Sequence, residues 1–192
     1  KENLRPFRSR IELLEGDIRD ISDCTRAVKN IEYIIHLAAM TSVPGSVADP
    51  AMCNAVNITG TLNVLTAARN EGVKRLVFAS SSAVYGDVSR LPNMEDEIGT
   101  PLSPYALSKR TGEVYCQMFT RLYGFETVCL RYFNVFGPRQ DPKSQYAAVI
   151  PVFITRMLEG KRPVIYGDGE QTRDFSYVRN IVQANISALH SE

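Results

Sequence analysis

The stretch Arg75-Leu76-Val77-Phe78-Ala79-Ser80-Ser81-Ser82-Ala83-Val84-Tyr85-Gly86 decides the fold. Its apolar centre predicts a buried strand over 75–80, and three serines follow where that strand ends. In open α/β sheets ligands sit beyond the carboxyl ends of strands, so hydroxyls at this point are candidates for chemistry. Serines that merely cap or turn the chain after a strand are the plain alternative.

Working outward, short apolar runs alternate with longer amphipathic stretches. They predict further strands over 11–14, 33–38 and 127–132, a helix over 22–29 opened by Ser22, and a longer helix over 50–70 stopped by Gly72. This alternation points to an α/β fold with a Rossmann-like, doubly wound parallel sheet. Dinucleotide folds usually open with a strand and a glycine-rich turn that hold a pyrophosphate. Nothing before Gly16 resembles that turn, so the sheet is expected to be incomplete at its N-terminal side.

Residues 86–104 are polar, carry three prolines and have no period, which predicts a loop with a functional surface. Ser103-Pro104 then opens a helix to about Leu122, with Gly124 as its stop. Beyond Gly137 the chain is less regular: a helix over 149–158, a short strand over 164–166 and a turn at 167–169. Residues 1–137 are therefore expected to form a nucleotide-binding unit, and 138–192 part of a smaller lobe with returning elements.

Composition narrows the function classes. Apolar residues make up 44% and charged residues 22% of 192, ordinary globular usage, and a net charge of +1 gives no field for nucleic acid or an acidic membrane. The apolar stretches are interrupted well before bilayer-spanning length. The four cysteines are widely spaced without C-x-x-C, and His36 and His190 have no ligand-like spacing, so a metal site is not expected. Reduced packing cysteines suit a cytoplasmic protein.

Tyr105-x-x-x-Lys109 puts a phenol and an ammonium on one helix face, one turn apart. A free tyrosine, with a pKa near ~10, is a poor base at neutral pH, and adjacent positive charge favours its phenolate. Alone, the pair also fits a half-buried tyrosine beside a solvated lysine. The serine-tipped strand tilts the reading towards chemistry.

Asp17-Ile18, His36-Leu37-Ala38-Ala39, Asn57, the 80–86 run, Ser103-Pro104-Tyr105-x-x-x-Lys109, Arg131-Tyr132-Phe133-Asn134 and Arg173-Asp174-Phe175 occur in that order. The set resembles extended short-chain dehydrogenases/reductases of the NAD-dependent epimerase/dehydratase family, from about Glu15 to about Val182. Ser42-Val43-Pro44-x-Ser46, the 86–104 loop and the run from Asn134 to Pro142 are most similar to bacterial UDP-N-acetylglucosamine 4-epimerases.

The resemblance implies NAD-dependent epimerisation at carbon four of a UDP-hexose, UDP-N-acetylglucosamine and UDP-N-acetylgalactosamine being the pair. It makes Ser81, Tyr105 and Lys109 catalytic. On the cofactor side, Asp17 would accept from the adenine amino group beside the Ile18 backbone, and Leu37, Ala38 and Ala39 would line NAD. Asn57 would fix the loop after the strand over 33–38, and Ser80, Tyr132 and Phe133 complete that set with Tyr105 and Lys109. The substrate would meet Ser42, Ser46, Ser82, Asn134, Arg139, Val149, Val164, Tyr166 and Arg173, with Arg173 on the diphosphate and Val164 and Tyr166 flanking the uracil. A homodimer through the helices over 50–70 and 104–122 is implied, with no nucleic-acid or membrane partner. A dehydratase or decarboxylase sharing the first oxidation is a rival, and so is a non-catalytic nucleotide-sugar-binding fragment.

Overall fold

The computed structural model describes residues 2–88, 90–141 and 149–191. Its organising element is strand β2, Arg75–Ser81, in which Leu76, Val77, Phe78, Ala79 and Ser80 are all buried. Burial of consecutive residues means that both faces are covered, as parallel strands require. Strand β1, Tyr33–His36, and strand β3, Glu126–Tyr132, flank it in parallel, with Tyr33 opposite Arg75 and Ser81 opposite Tyr132. The sheet order is β1-β2-β3, and each crossover between them is helical.

Helix α1, Ile21–Val28, precedes β1. Between β1 and β2 run α2, Val43–Ala48, then α3, Pro50–Cys53, a π-helical turn over Asn54–Thr59, and α4, Gly60–Asn70. Helix α5, Pro104–Tyr123, links β2 to β3 and ends on Gly124 in the left-handed conformation (φ 67), which glycine adopts without a Cβ penalty. It lies close to the sheet: a Cβ on Gly112 would stand 2.4 Å from Phe78 Cζ. Phe78, Leu76, Leu65, Ala68, Cys116 and Phe119 form the core between α4, α5 and the sheet, and burying Phe78 alone contributes about 1.5–3 kcal/mol.

Two strands, β4 (Asn134–Phe136) and β5 (Phe175–Tyr177), form a separate parallel pair, with α6, Val149–Leu158, between them in sequence. Helix α7, Val178–His190, then returns to β2 and β3: Arg75 donates to the Ala188 carbonyl at 3.0 Å and Tyr132 to Asn185 Oδ1 at 2.7 Å. Strand side chains alternate between faces. Phe78 therefore meets α5 while Arg75 meets α7, and the sheet carries helices on both sides, as a doubly wound fold does. Among the described residues no helix is long and apolar enough to cross a membrane.

Several expectations are corrected. Residues 11–14 are not a strand; Ile11, Leu13 and Leu14 are 40–45% exposed, and the outer edge of β1 pairs with nothing among the described residues. An apolar run becomes a strand only with a ladder to join. The same holds for 164–166, where Tyr166 is 81% exposed. Strand β1 stops at His36, two residues early. Helix α1 is capped by Asp20, whose carboxylate accepts from the Ser22 N–H at 2.8 Å, rather than opened by Ser22. The helix over 50–70 is continuous but contains the π turn.

His36 is buried against α4, its Nε2 3.1 Å from Thr61 Oγ1, and burial lowers its pKa from 6.5 to about 4, with the Lys109 charge adding to the effect. Between those values the unfolded chain binds a proton that the folded chain refuses. Stability is therefore full above pH 6.5 and is lost as the pH falls towards 4, by about 3 kcal/mol. Urea midpoints measured across that window should fall for the wild type and flatten for His36→Gln; parallel curves overturn this assignment.

Candidate active site

The site begins with the first turn of α5. Ser103 caps it, Oγ accepting from the Ala106 N–H at 3.1 Å, and Pro104 occupies the first helical position. The next N–H, that of Tyr105, has no intrahelical partner. Ser46 Oγ accepts it at 3.1 Å, while Ser108 Oγ donates to the Tyr105 carbonyl at 2.8 Å. The backbone of Tyr105 is thus held from both sides. Its hydroxyl reaches Ser81, at the end of β2, whose Oγ also accepts from the Ala83 N–H at 3.2 Å.

One turn on, Lys109 is 4% exposed. Its Nζ donates to the Ala79 carbonyl at 2.8 Å and lies 5.1 Å from the Phe78 ring centroid and 5.9 Å from that of Tyr105. Burial lowers its pKa from 10.5 to about 8. The Tyr105 phenol is raised above its ordinary value: burial pushes it up, and the Ser81 hydrogen bond only partly offsets that. Lys109 was expected to hold the phenol down. Instead its ammonium is turned to a strand carbonyl, and burial decides the sign.

Behind this cluster stands a network centred on Glu113, a position that no sequence motif marks. Glu113, 1% exposed, accepts from Ser80 Oγ at 2.6 Å and from Arg131 in a two-pronged pair at 2.8 and 3.0 Å. Burial raises the Glu113 carboxyl, but the hydrogen bonds from Arg131 and Ser80 outweigh it and the net shift is downward. The only clue in the sequence is that Ser80 and Arg131 end adjacent strands, where they fall in register. Ser108 was likewise missed, since its role depends on a neighbouring helix.

On the cofactor side, Asp17, Ile18, Leu37 and Ala38 share the wall of a cavity of about 510 Å³ beside β1, and Ala39 is half-buried just beyond. The Asp17 carboxylate holds the Arg19 guanidinium at 2.5 Å, and that hydrogen bond lowers its pKa to about 2. Asn57, in the π turn, accepts from the Met40 N–H at 2.7 Å, and its Nδ2 donates to the Met40 carbonyl at 3.0 Å and to Ser108 Oγ at 2.9 Å. It ties the loop after β1 to α5. Tyr132 is bonded to α7, and Phe133 lies 6.0 Å from the Tyr85 ring.

The residues expected on the substrate side are scattered. Ser42 caps α2 by accepting from the Gly45 N–H at 2.7 Å. Ser46 is 0% exposed, its Oγ donating to the Val43 carbonyl at 2.7 Å while accepting from Tyr105, so it supports the phenol from behind. Ser82 starts the short 3-10 helix after Ser81. Asn134 Nδ2 donates to the Asp174 carbonyl at 2.9 Å, and Arg139 is exposed with φ 69. Val149 begins α6 and is 40% exposed. Arg173 donates to the Thr172 carbonyl at 2.7 Å. Among the described residues no hydrogen bond or ion pair ties Val164, Tyr166 or Arg173 to Ser81, Tyr105 or Lys109, and no group of three or more metal-ligating side chains occurs.

Comparison with known proteins gives this arrangement a family. The model of the NAD dependent epimerase/dehydratase family matches residues 2–192. A putative UDP-glucose 4-epimerase of Methanocaldococcus jannaschii is 45% identical over 99% of the chain and 62% of its own length. A UDP-glucose 4-epimerase of Mycolicibacterium smegmatis is 40% identical over 97% and 61%. Among solved structures, a UDP-N-acetylglucosamine 4-epimerase from Methanobrevibacter ruminantium, in complex with UDP-N-acetylmuramic acid, superposes with a TM-score of 0.93 at 48% identity, over 97% of this chain and 60% of that one. The Thermus thermophilus UDP-glucose 4-epimerase in complex with NAD gives 0.83 at 40% identity, over 92% and 60%. The chain thus spans about three-fifths of the length of these relatives. A family model matched along nearly the whole chain, on a doubly wound sheet with Ser81 at the tip of β2 and Tyr105 and Lys109 on the adjoining helix, means that this protein belongs to the NAD-dependent epimerase/dehydratase family.

Proposed function

We propose that the protein inverts carbon four of a UDP-hexose with NAD, the pair being UDP-N-acetylglucosamine and UDP-N-acetylgalactosamine. The observation that carries this reading is Tyr105, fixed through its backbone by Ser46 and Ser108, one turn from Lys109 on α5 and beside the serine-tipped end of β2. Tyr105 takes the proton of the 4-hydroxyl, and Ser81 hydrogen-bonds the reacting oxygen and relays that proton. Lys109, one turn on with its ammonium on the Ala79 carbonyl, is assigned to the nicotinamide ribose. NAD, held by the residues named below, would supply the reversible hydride acceptance that inversion at the sugar carbon requires.

The donor set fits this cofactor. Asp17 offers a carboxylate for the adenine amino group, and the exposed Leu37 and Ala38 let a ligand approach the backbone after β1. Asn57 holds that loop, and Ser80, Tyr132 and Phe133 back the nicotinamide end. The sugar nucleotide is assigned to Ser42, Ser82, Asn134, Arg139, Val149, Val164, Tyr166 and Arg173, with Ser46 acting through Tyr105. Residues 1–137 form the NAD-binding unit, 138–192 contribute to the substrate lobe, and α7 returns to the sheet. The outward stripe Leu107, Val114, Met118 and Leu122 of α5, each 39–60% exposed, supports a homodimer, and the reduced cysteines are in keeping with a cytoplasmic protein.

Dehydration is disfavoured because Ser82 and Ala83, which follow Ser81, carry no carboxylate. Incubation of the full-length protein with NAD and UDP-N-acetylglucosamine should yield UDP-N-acetylgalactosamine. A stable keto sugar, or carbon dioxide from a uronate substrate, moves the assignment to a dehydratase or decarboxylase. Sedimentation at monomer mass overturns the dimer.

A further inference from the structure

From the network behind the site we infer that Arg131 and Glu113 form a positioning strut, which holds the Ser80–Tyr85 tip of β2 and the returning arm of the following loop, 94–100, in place beside the sugar. The inference rests on the reading of Ser81 and Tyr105 above. Apart from Arg110, a neighbour on α5, the partners of this pair belong to the rim of the site. Glu113 Oε1 takes the Ser80 hydroxyl, next to Ser81, at 2.6 Å. Arg131 Nη1 donates to the Glu95 carbonyl at 2.8 Å, and its guanidinium lies 4.9 Å from the Tyr85 ring centroid. Arg110 adds a second cation to the carboxylate, at 3.2 Å.

The arm that Arg131 grips returns directly onto the serine-bearing turn. Gly99 N–H donates to the Tyr85 carbonyl at 3.0 Å and Thr100 N–H to Asp87 Oδ1 at 2.7 Å. Gly86, with φ 64, passes so near that a Cβ there would lie 2.0 Å from the Thr100 carbonyl oxygen. A guanidinium serves all these partners at once because its donors fan out in one plane, two for the carboxylate and one for the carbonyl, with a face left for the ring. A lysine has a single nitrogen and reproduces only part of this. A buried ion pair is also a weak way to gain stability, since an apolar pair of similar volume is often as good. The expectation is therefore geometric precision at the β2 tip rather than a large share of global stability.

The test uses the full-length protein carrying Arg131→Lys, Arg131→Met or Glu113→Gln. Two readouts are independent of one another. Amide hydrogen exchange of Gly99 and Thr100 should speed up in Arg131→Lys while Val77, in the middle of β2, keeps its protection. In turnover, kcat should fall roughly tenfold to a hundredfold with KM for the sugar nucleotide changed much less, because misplacement at the reacting centre acts on the chemical step. Unchanged exchange at Gly99 and Thr100, or kcat within about twofold of wild type in both Arg131→Lys and Glu113→Gln, overturns the inference. If Arg131→Met does not fold, the other two variants decide. A wild-type protein that inverts no sugar sinks the proposed function, and the exchange readout still judges the strut.

Discussion

Replacing Tyr105 with Phe is expected to lower the rate of sugar inversion by about 10²–10⁴-fold, the usual contribution of a positioned acid or base. That corresponds to roughly 3–5.5 kcal/mol of barrier. The change removes one oxygen, whose contact in the protein is with Ser81, and leaves the two hydrogen bonds that fix the residue's backbone untouched. The fold, bound NAD and affinity for UDP should therefore survive. Steady-state rates, absorbance of retained cofactor and a melting curve check this together. A variant that keeps more than about a tenth of the wild-type rate removes Tyr105 from the role of base. The pH profile should carry a second mark: because burial raises the phenol, activity depends on the positive charge that bound nicotinamide brings to it.

Lys109→Met should abolish turnover and yet change the pH dependence of stability in the opposite sense. The folded lysine has a pKa of about 8 against 10.5 for the free group. Between those values the unfolded chain holds a proton that the folded chain has released, so stability of the cofactor-free protein rises with pH across that window. Below pH 8 the deficit is constant at about 3 kcal/mol, the cost of keeping an ammonium among Phe78 and the strand backbone. The methionine removes that deficit but strands the Ala79 carbonyl, which costs about 1–3 kcal/mol. Urea midpoints from pH 7 to 10 should climb in the wild type and stay level in the variant. Equal slopes in the two proteins would falsify the placement of a buried cation here. A destabilising group kept at such a position is the expected trade between stability and function.

The sequence made the local grammar visible and left the long-range contacts hidden. The buried run ending in Ser80 and Ser81, the Ser103-Pro104 start of α5 and its stop at Gly124 were legible because each is governed by residues within one or two turns. Residues 11–14 and 164–166 misled for the same reason: their pattern suits a strand, but pairing is a property of neighbours they lack here. Tyr105 and Lys109 stood out through spacing and type, and Ser81 was singled out among its neighbours by the family resemblance. The geometry among them did not, since the lysine's distance from the phenol follows from where the Ala79 carbonyl ends up. Ser46 and Ser108 illustrate a further limit. Both hydroxyls close on the Tyr105 backbone, one across 59 residues and one across 3; Ser108 sits in no motif, and the motif that holds Ser46 pointed to the substrate rather than to this contact.

The π turn over Asn54–Thr59 carries one more residue than an α-helix of the same rise needs. A single-residue excision inside it would let the coil close into regular α-helix, so far-ultraviolet circular dichroism would register almost nothing. The flanking helices would keep their phase, because the widened turn is what absorbs the extra residue, but the turn that carries Asn57 to Met40 and Ser108 would be gone. In a set of natural sequences, gaps at this turn would therefore mark proteins in which the loop after β1 and the tyrosine helix have lost their shared clasp, whatever their overall similarity.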